Sequence, residues 1–231
     1  RDILVSVFVV TYNQEKYIRQ CLDSILMQKV DFDYEIVIGE DSGTDQTLSI
    51  CEEYARKYPQ IRLLPKTNRL GIAGNWKRVL SECKGKYVAM CEGDDYWCDP
   101  LKLQKQVDFF DKDTDEKYVL CFHNAMLVDE CSNIISESKF EEDYLCDRTP
   151  FDLVIGKECS TQTVMFRGKY LSEVLTKLKH YNGLSNDSVL FALLAHYGNG
   201  KYLSNIEKSA YRIHNNSVWA SLPPIKHLPY A

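Results

Sequence analysis

No Cys-x-x-Cys pair occurs in the chain, although it contains nine cysteines. That excludes zinc-knuckle spacing, and the odd count would leave one thiol outside a complete disulfide framework. Cys21, Cys51 and Cys121 lie inside apolar runs, where cysteine behaves as a small hydrophobe. The expectation is a reducing compartment, the cytoplasm. No apolar run approaches the roughly 20 residues needed to span a bilayer. The opening "RDILVSVFVV" has no small-residue cleavage site and does not read as a signal peptide. An initiating Met is missing and the chain stops on "PPIKHLPYA", so both ends read as trimmed, with a membrane-binding tail as one candidate for what was lost. Excess positive charge is also missing: the formal net charge is −5, which argues against a protein that grips nucleic-acid phosphates. The usual phosphate cradles are absent too. There is no G-x-G-x-x-G after the first apolar run and no Walker A sequence, which argues against a nicotinamide dehydrogenase or a P-loop kinase. No internal repeat, low-complexity tract or linker divides the 231 residues, a length near the upper edge of one domain.

What is present is alternation. Val5 to Val10 is a β-branched run suited to a buried strand, and Ile18, Leu22, Ile25 and Leu26 then recur at helical spacing. "YEIVIG" gives a second strand. Leu48, Cys51, Ala55 and Tyr58 mark a helix behind it, with Ser42 or Thr44 as its expected N-cap. A short strand near Ile61 to Leu64, a helix from about Ile72 to Cys83 and a strand Tyr87 to Cys91 complete the first half. Single helices between strands imply βαβ units and a mostly parallel sheet, an α/β fold. The second half is less regular. "KYVLCFHNAMLVDE" reads as one long or broken strand, and Ser136 to Thr149 as a mobile acidic loop. "TQTVMFR", "KYLSN" and "SAYRIH" read as strands, and Val189 to Tyr197 as a helix with an apolar stripe.

Ligands of an open parallel sheet bind outside the carboxyl ends of its strands. The residues after the four early runs are Thr11-Tyr12-Asn13, then "EDSGTD" from Glu40, "KTNRLG" from Lys66, and "EGDD" from Glu92. A parallel sheet would gather all four on one edge. Glu92, Asp94 and Asp95 would repel one another there, raising each other's pKa, unless a cation sits among them. Carboxylates one residue apart suit a hard divalent ion such as Mg²⁺ or Mn²⁺, which also binds substrate phosphates. Asp99 before Pro100 reads instead as a helix N-cap.

With these segments in view, the sequence resembles the family 2 glycosyltransferases, inverting nucleotide-sugar enzymes of GT-A fold. The resemblance rests on "VVTYNQEKYIRQCLDSILMQ", "IGEDSGTDQTLSI", "NRLGIAGNWKRVL", "GKYVAMCEGDDYWCDPLKLQKQ", "SNDSVLFALLAHYGNGKYL" and "YRIHNNSVW", in the family's order and over nearly the whole chain. It implies one glycosyltransferase domain, with residues 1–100 as the nucleotide-binding half and 101–231 as the acceptor-binding half. Thr11, Tyr12 and Asn13 match the first-strand loop that touches the nucleotide. Asp41 matches the acid that bonds the base, commonly uracil N3–H, with Glu40 in place of a preceding Asp. Asn68 and Gly71 match the loop beside the nucleotide, and Asn75 the helix start behind it. Glu92-Gly93-Asp94 matches the DXD motif with Glu in its first position, and Asp94 is the expected metal ligand. Asp95 is expected near ribose, metal or donor sugar, and Asp187 matches the catalytic base, preceded by Asn186 where the family has Glu. His214 matches a late histidine that completes the metal site or contacts the diphosphate.

The implied chemistry is transfer from a nucleotide-diphosphate sugar, expected to be a UDP-sugar, to a glycan or lipid-linked hydroxyl, with Mn²⁺ or Mg²⁺ as cofactor. The family default is synthesis of bacterial cell-surface polysaccharide, at the inner membrane face where the acceptor is lipid-linked. Two roles are open for Trp97, stacking on a sugar or packing under the next helix, and for Trp219, packing the tail or touching lipid. A sugar-phosphate nucleotidyltransferase would need a Gly-rich basic loop where "TYNQEKY" stands. A non-catalytic nucleotide-sugar-binding module is allowed by Glu40, Glu92 and Asn186 but opposed by Asp94, Asp187 and His214.

Overall fold

A computed structural model describes residues 2–183 and 186–215. Trp219 and the C-terminal tail lie outside the described residues. The β-branched run forms β1 (Val5–Thr11), buried at every position but Val10, as a central strand covered on both faces must be. β2 (Tyr34–Glu40) and β4 (Tyr87–Met90) pair with it in parallel on either side, and β3 (Ile61–Leu63) extends the sheet beyond β2 in parallel. The four strand tips therefore do share one edge. The second half completes the same sheet with β5 (Tyr118–Phe122), β8 (Met165–Arg167) and β9 (Asn199–Tyr202), in the order β3-β2-β1-β4-β8-β5-β9. β8 is antiparallel to both β4 and β5.

Alternate side chains of β1 build the two core layers, as the two-residue strand period requires. Val5, Val7 and Val9 pack with α1 (Ile18–Leu26), α2 (Thr47–Lys57) and α4 (Lys102–Lys112). Phe8 packs on the other face with α3 (Gly71–Glu82), α6 (Leu171–Leu178) and α7 (Asn186–Leu194). Gly39 lets α3 sit close on β2, because a Cβ there would fall 2.2 Å from Val79 Cγ2. Among the described residues no helix is long and apolar enough to cross a membrane.

Several expectations are refined. The run "KYVLCFHNAMLVDE" is broken at His123 and Asn124, which sends its second part, β6 (Ala125–Val128), into a separate three-stranded sheet with β7 (Ile134–Ser136) and β10 (Ser209–Arg212). Asn124 marks the break by accepting the Ala125 amide on its own side chain. The cap expected of Ser42 or Thr44 is supplied by Asp45, which accepts the Thr47 amide at 2.9 Å, while Ser42 donates to the Thr67 carbonyl instead. The loop 136–149, expected to be mobile, is pinned by its one arginine. Arg148 is fully buried, exchanges main-chain hydrogen bonds with Gly200, and donates to the carbonyls of Tyr144, Cys146 and Glu158. Thr149 then caps the short helix α5 (Pro150–Val154) through a capping box with Asp152.

The base of the sheet, opposite the site, is locked by an ion pair at 3.0 Å between Arg167 at the end of β8 and Asp113 after α4, both largely buried. Asp113 also accepts the amides of Lys117 and Tyr118. Removing one partner of a buried pair strands the other, at a cost of about 3–5 kcal/mol. Asp113→Ala is therefore expected to lower unfolding stability by about that amount in urea titration, and a loss under about 1 kcal/mol would show the pair to be dispensable.

Candidate active site

One side of the candidate site is built from the tips of β1 and β2 and the start of α3. Asn13 and Ser42 adopt positive φ, 52° and 57°, turning both loops back across the strand ends. Asn13 accepts the Thr44 amide on Oδ1 at 2.8 Å, and buried Thr11 donates to Gln14 Oε1 at 2.7 Å. Glu40 and Asp41 are buried and both commit their carboxylates to main-chain amides. Glu40 accepts from Ser42 and Gly43, while Asp41 accepts from Leu70 at 2.7 Å and Gly71 at 2.9 Å. Asp41 thereby holds the N-terminus of α3, where free amides favour negative charge. Gly71 sits at φ 72°, a conformation that needs glycine.

Asn68 is exposed in the same loop, whereas Asn75 is buried in the seam between α3 and β2 and donates to the Gly39 carbonyl at 2.7 Å. The expected nucleotide contact at Asn75 is corrected to a structural one, because its side chain is enclosed. A residue the sequence reading missed, Arg69, lies over the Tyr12 ring at 4.2 Å.

The acid loop after β4 is the centre of the site. Gly93 brings it against β1, donating to the Val10 carbonyl at 2.9 Å. The last strand then closes on it. Arg212 donates its amide to Asp95 Oδ1 and its Nε to the Asp94 carbonyl, both at 2.9 Å. Two residues on, His214 Nε2 lies 2.9 Å from Asp94 Oδ2. Asp95 is buried, and its second oxygen has no hydrogen-bond partner. Burial first, then the charges of Asp94 and Glu92, push its pKa well up. Burial likewise pushes Glu92 up to about 8, with the charges of Asp94 and Asp187 acting in the same direction. Of the two roles open for Trp97, the structure shows packing. The residue is 1% exposed and its Nε1 donates to the Gln162 carbonyl at 2.8 Å.

Asp187 opens α7, accepting the Ser188 amide at 2.8 Å and the Thr161 hydroxyl at 3.1 Å. Burial raises its pKa, against the lowering effect of those two donors. Lys139, from the loop that the sequence showed only as acidic, is the cation that acts on Glu92, Asp95 and Asp187 together. Its ammonium donates to Glu158 and, at 3.0 Å, to Ser160 Oγ, and it lies over the Tyr211 ring at 4.1 Å. Neither Lys139 nor Thr161 belongs to a motif, and only the folded chain brings them to the acids.

Among the described residues no three His, Cys, Asp or Glu side chains form a ready metal-binding group. Asp94 and His214 form a pair, and the charge of Asp94 reaches Glu92. One carboxylate and one imidazole still fit Mn²⁺ or Mg²⁺, because such ions take few protein ligands when substrate phosphates and water fill the other positions.

Residues 6–128 match the family described as glycosyl transferase family 2, more than half of the chain, and the chain belongs to that family. It is 43% identical over 127 residues to an uncharacterized protein of Mycobacterium tuberculosis, covering 54% of this chain and 36% of that one. It is 34% identical over 110 residues to the chondroitin synthase of Escherichia coli, covering 48% of this chain and 16% of the synthase. The chain thus spans about a third or less of the length of these relatives. In fold it is similar to Staphylococcus aureus TarS residues 1–349 solved with UDP-GlcNAc, with TM-score 0.71, 24% identity, and 96% of this chain and 62% of that one covered. It is also similar to the mannosyltransferase PcManGT of Pyrobaculum calidifontis solved with GDP-Man and Mn²⁺, with TM-score 0.64, 19% identity, and 94% and 59% covered. The seven-stranded sheet with its flanking helices is the GT-A fold.

The close seat of the acid loop on β1 gives a direct test. A Cβ on Gly93 would lie 2.5 Å from Gln14 Oε1 and 2.8 Å from Thr11 Cβ. Gly93→Ala is expected to force the loop off β1, costing roughly 1–3 kcal/mol of stability and weakening UDP binding in the presence of Mn²⁺. Thermal unfolding and calorimetry check both; unchanged values would show that the loop has room.

Proposed function

We propose that the chain transfers a sugar, with inversion, from a nucleotide-diphosphate donor, preferably a UDP-sugar, to a hydroxyl of a glycan or lipid-linked acceptor. The observation that carries this reading is the convergence on Glu92. Its carboxyl feels both Asp94, paired with His214, and Asp187 at the start of α7. The Asp94–His214 pair and Asp187 thus both act on one carboxyl at the carboxyl edge of the parallel strands, which supports reading them as parts of one site. The neighbours solved with UDP-GlcNAc and with GDP-Man and Mn²⁺ support the donor class, and the relative named chondroitin synthase supports a glycan acceptor. Cell-surface polysaccharide synthesis on the cytoplasmic side of a membrane is the setting this reading favours.

Asp187 acts as general base. Thr161 and Ser188 fix its carboxylate, and burial lifts its basicity toward that needed to accept a hydroxyl proton as the acceptor oxygen attacks. Asp94 and His214 would hold the divalent ion, which when bound stabilises the charge gathering on the departing diphosphate. Thr11, Tyr12, Asn13, Asn68 and Gly71 frame the nucleotide, and Tyr12 with Arg69 offers a flat cationic face to the base. The amides that Asp41 already binds hold this frame in shape before the donor arrives.

Asp187→Asn is expected to lower turnover by at least about 10²-fold while leaving UDP affinity nearly unchanged. In the parent enzyme kcat/KM should rise with pH through a value above the ordinary carboxylate range of about 4, since the ionised form is the base. A variant with near-normal turnover removes Asp187 from this role. Asp94→Ala should weaken UDP binding in Mn²⁺ by about tenfold or more, in line with the loss of a ligand-supporting group. In EDTA it should change little, and calorimetry showing equal affinities in Mn²⁺ would overturn the ligand assignment.

A further inference from the structure

We infer that Lys139 is a positioning residue for the reaction, setting both the placement and the working pH of Asp187. Consecutive residues of one short turn hold the two side chains: Ser160 accepts from the Lys139 ammonium at 3.0 Å, and Thr161 donates to Asp187 Oδ2 at 3.1 Å. The turn is itself fixed, because the Gln162 carbonyl accepts Trp97 Nε1 and the Thr163 carbonyl accepts Gln106 Nε2 at 3.0 Å. Lys139 is anchored at its other end by its own amide, which donates to the Ala125 carbonyl at 2.7 Å. Its side chain is 15% exposed, whereas that of its partner Glu158 is 50% exposed. The ammonium is thus the enclosed, fixed member of the pair and the carboxylate the replaceable one.

The charges around Asp187 come from three elements. Glu92 lies at the end of β4, Glu158 and Cys159 follow α5, and Lys139 follows β7. Lys139 is the one cation acting on Asp187 among them, and it opposes Glu158, which acts in the other sense. A positive charge at this place favours the ionised base, and a negative one disfavours it. The two partners of one ion pair therefore have opposite effects on the same proton.

This rests on Asp187 as base, and the experiment separates the two. The pH dependence of kcat/KM for sugar transfer is measured for the parent, Lys139→Gln, Lys139→Arg, Glu158→Gln and Asp187→Asn, with UDP affinity as the check of folding. Lys139→Gln is expected to move the acid limb upward by about half to one unit, losing roughly three- to tenfold below the limb and recovering above it. Lys139→Arg should keep the parent limb. Glu158→Gln, at a half-exposed position, should move the limb downward, so the proposal stays testable even where Lys139→Gln fails to fold. An equal loss at every pH in Lys139→Gln, or an acid limb unmoved or moved upward by Glu158→Gln, overturns it. Should Asp187→Asn keep turnover, the base assignment itself falls. Should Asp187→Asn lose turnover while neither charge variant moves the limb, only the role of Lys139 falls.

Discussion

The site depends on the closing of the last strand over the acid loop. The main chain of Tyr96 exchanges hydrogen bonds with Ala210 in both directions, Arg212 binds Asp94 and Asp95, and His214 meets the Asp94 carboxylate. Residues more than a hundred positions apart are joined there. Arg212 does more than bridge, since its guanidinium also reaches the Asp129 and Glu130 carbonyls and Gln20 Oε1, and lies over the Tyr17 ring at 4.7 Å. A buried guanidinium with its donors satisfied is strongly directional. It fixes where β10 ends and hence where His214 stands.

That closure carries an electrostatic cost. Three acids lie within four residues, enclosed enough that the carboxyls of Glu92 and Asp95 are displaced upward by burial and by the charge of Asp94. A fold selected for stability alone would separate them. Strongly displaced carboxyls gathered at a strand edge are a mark of functional sites, which supports the role proposed for them beside a nucleotide diphosphate. Lys139 offsets part of the repulsion without entering the acid loop itself.

The parallel part of the sheet was legible in the sequence because its signals are local. β-branched runs and helical spacing predict β1 through β4 and α1 through α3 to within a few residues, and a parallel sheet then puts their tips on one edge. The second half was less legible because its organisation is decided by pairing at a distance. Nothing within "TQTVMFR" says that β8 enters between β4 and β5 antiparallel to both. The break at Asn124 was ambiguous for the same reason, since the run on either side is apolar. The motifs single out Asp94, Asp187 and His214, and the structure pairs Asp94 with His214. For Trp97, where stacking and packing were both open, and for Asn75 at the helix start, the motif gave position along the chain and not which way the side chain faces; the structure buries both. Lys139 and Thr161 carry no motif, and the turn that unites them is visible only in three dimensions.

The same turn explains how one short stretch can coordinate two tasks. Trp97 lies three residues after Asp94, and its indole donates to the Gln162 carbonyl. Gln162 follows Thr161, whose hydroxyl holds Asp187. The path from Asp94 to Asp187 therefore crosses two hydrogen bonds, Trp97 to Gln162 and Thr161 to Asp187, and a few covalent links. Buried polar links of this kind resist independent movement, because breaking one leaves an unpaired group in a low-dielectric interior. The separation between Asp94 and Asp187 is then a property of the core, set by the packing of Trp97. The surrounding loop from 136 to 149 can change its exposed residues without changing that separation, provided Lys139 and Arg148 keep their buried bonds. Such a division lets the exposed surface of the loop vary while Asp94 and Asp187 stay in register.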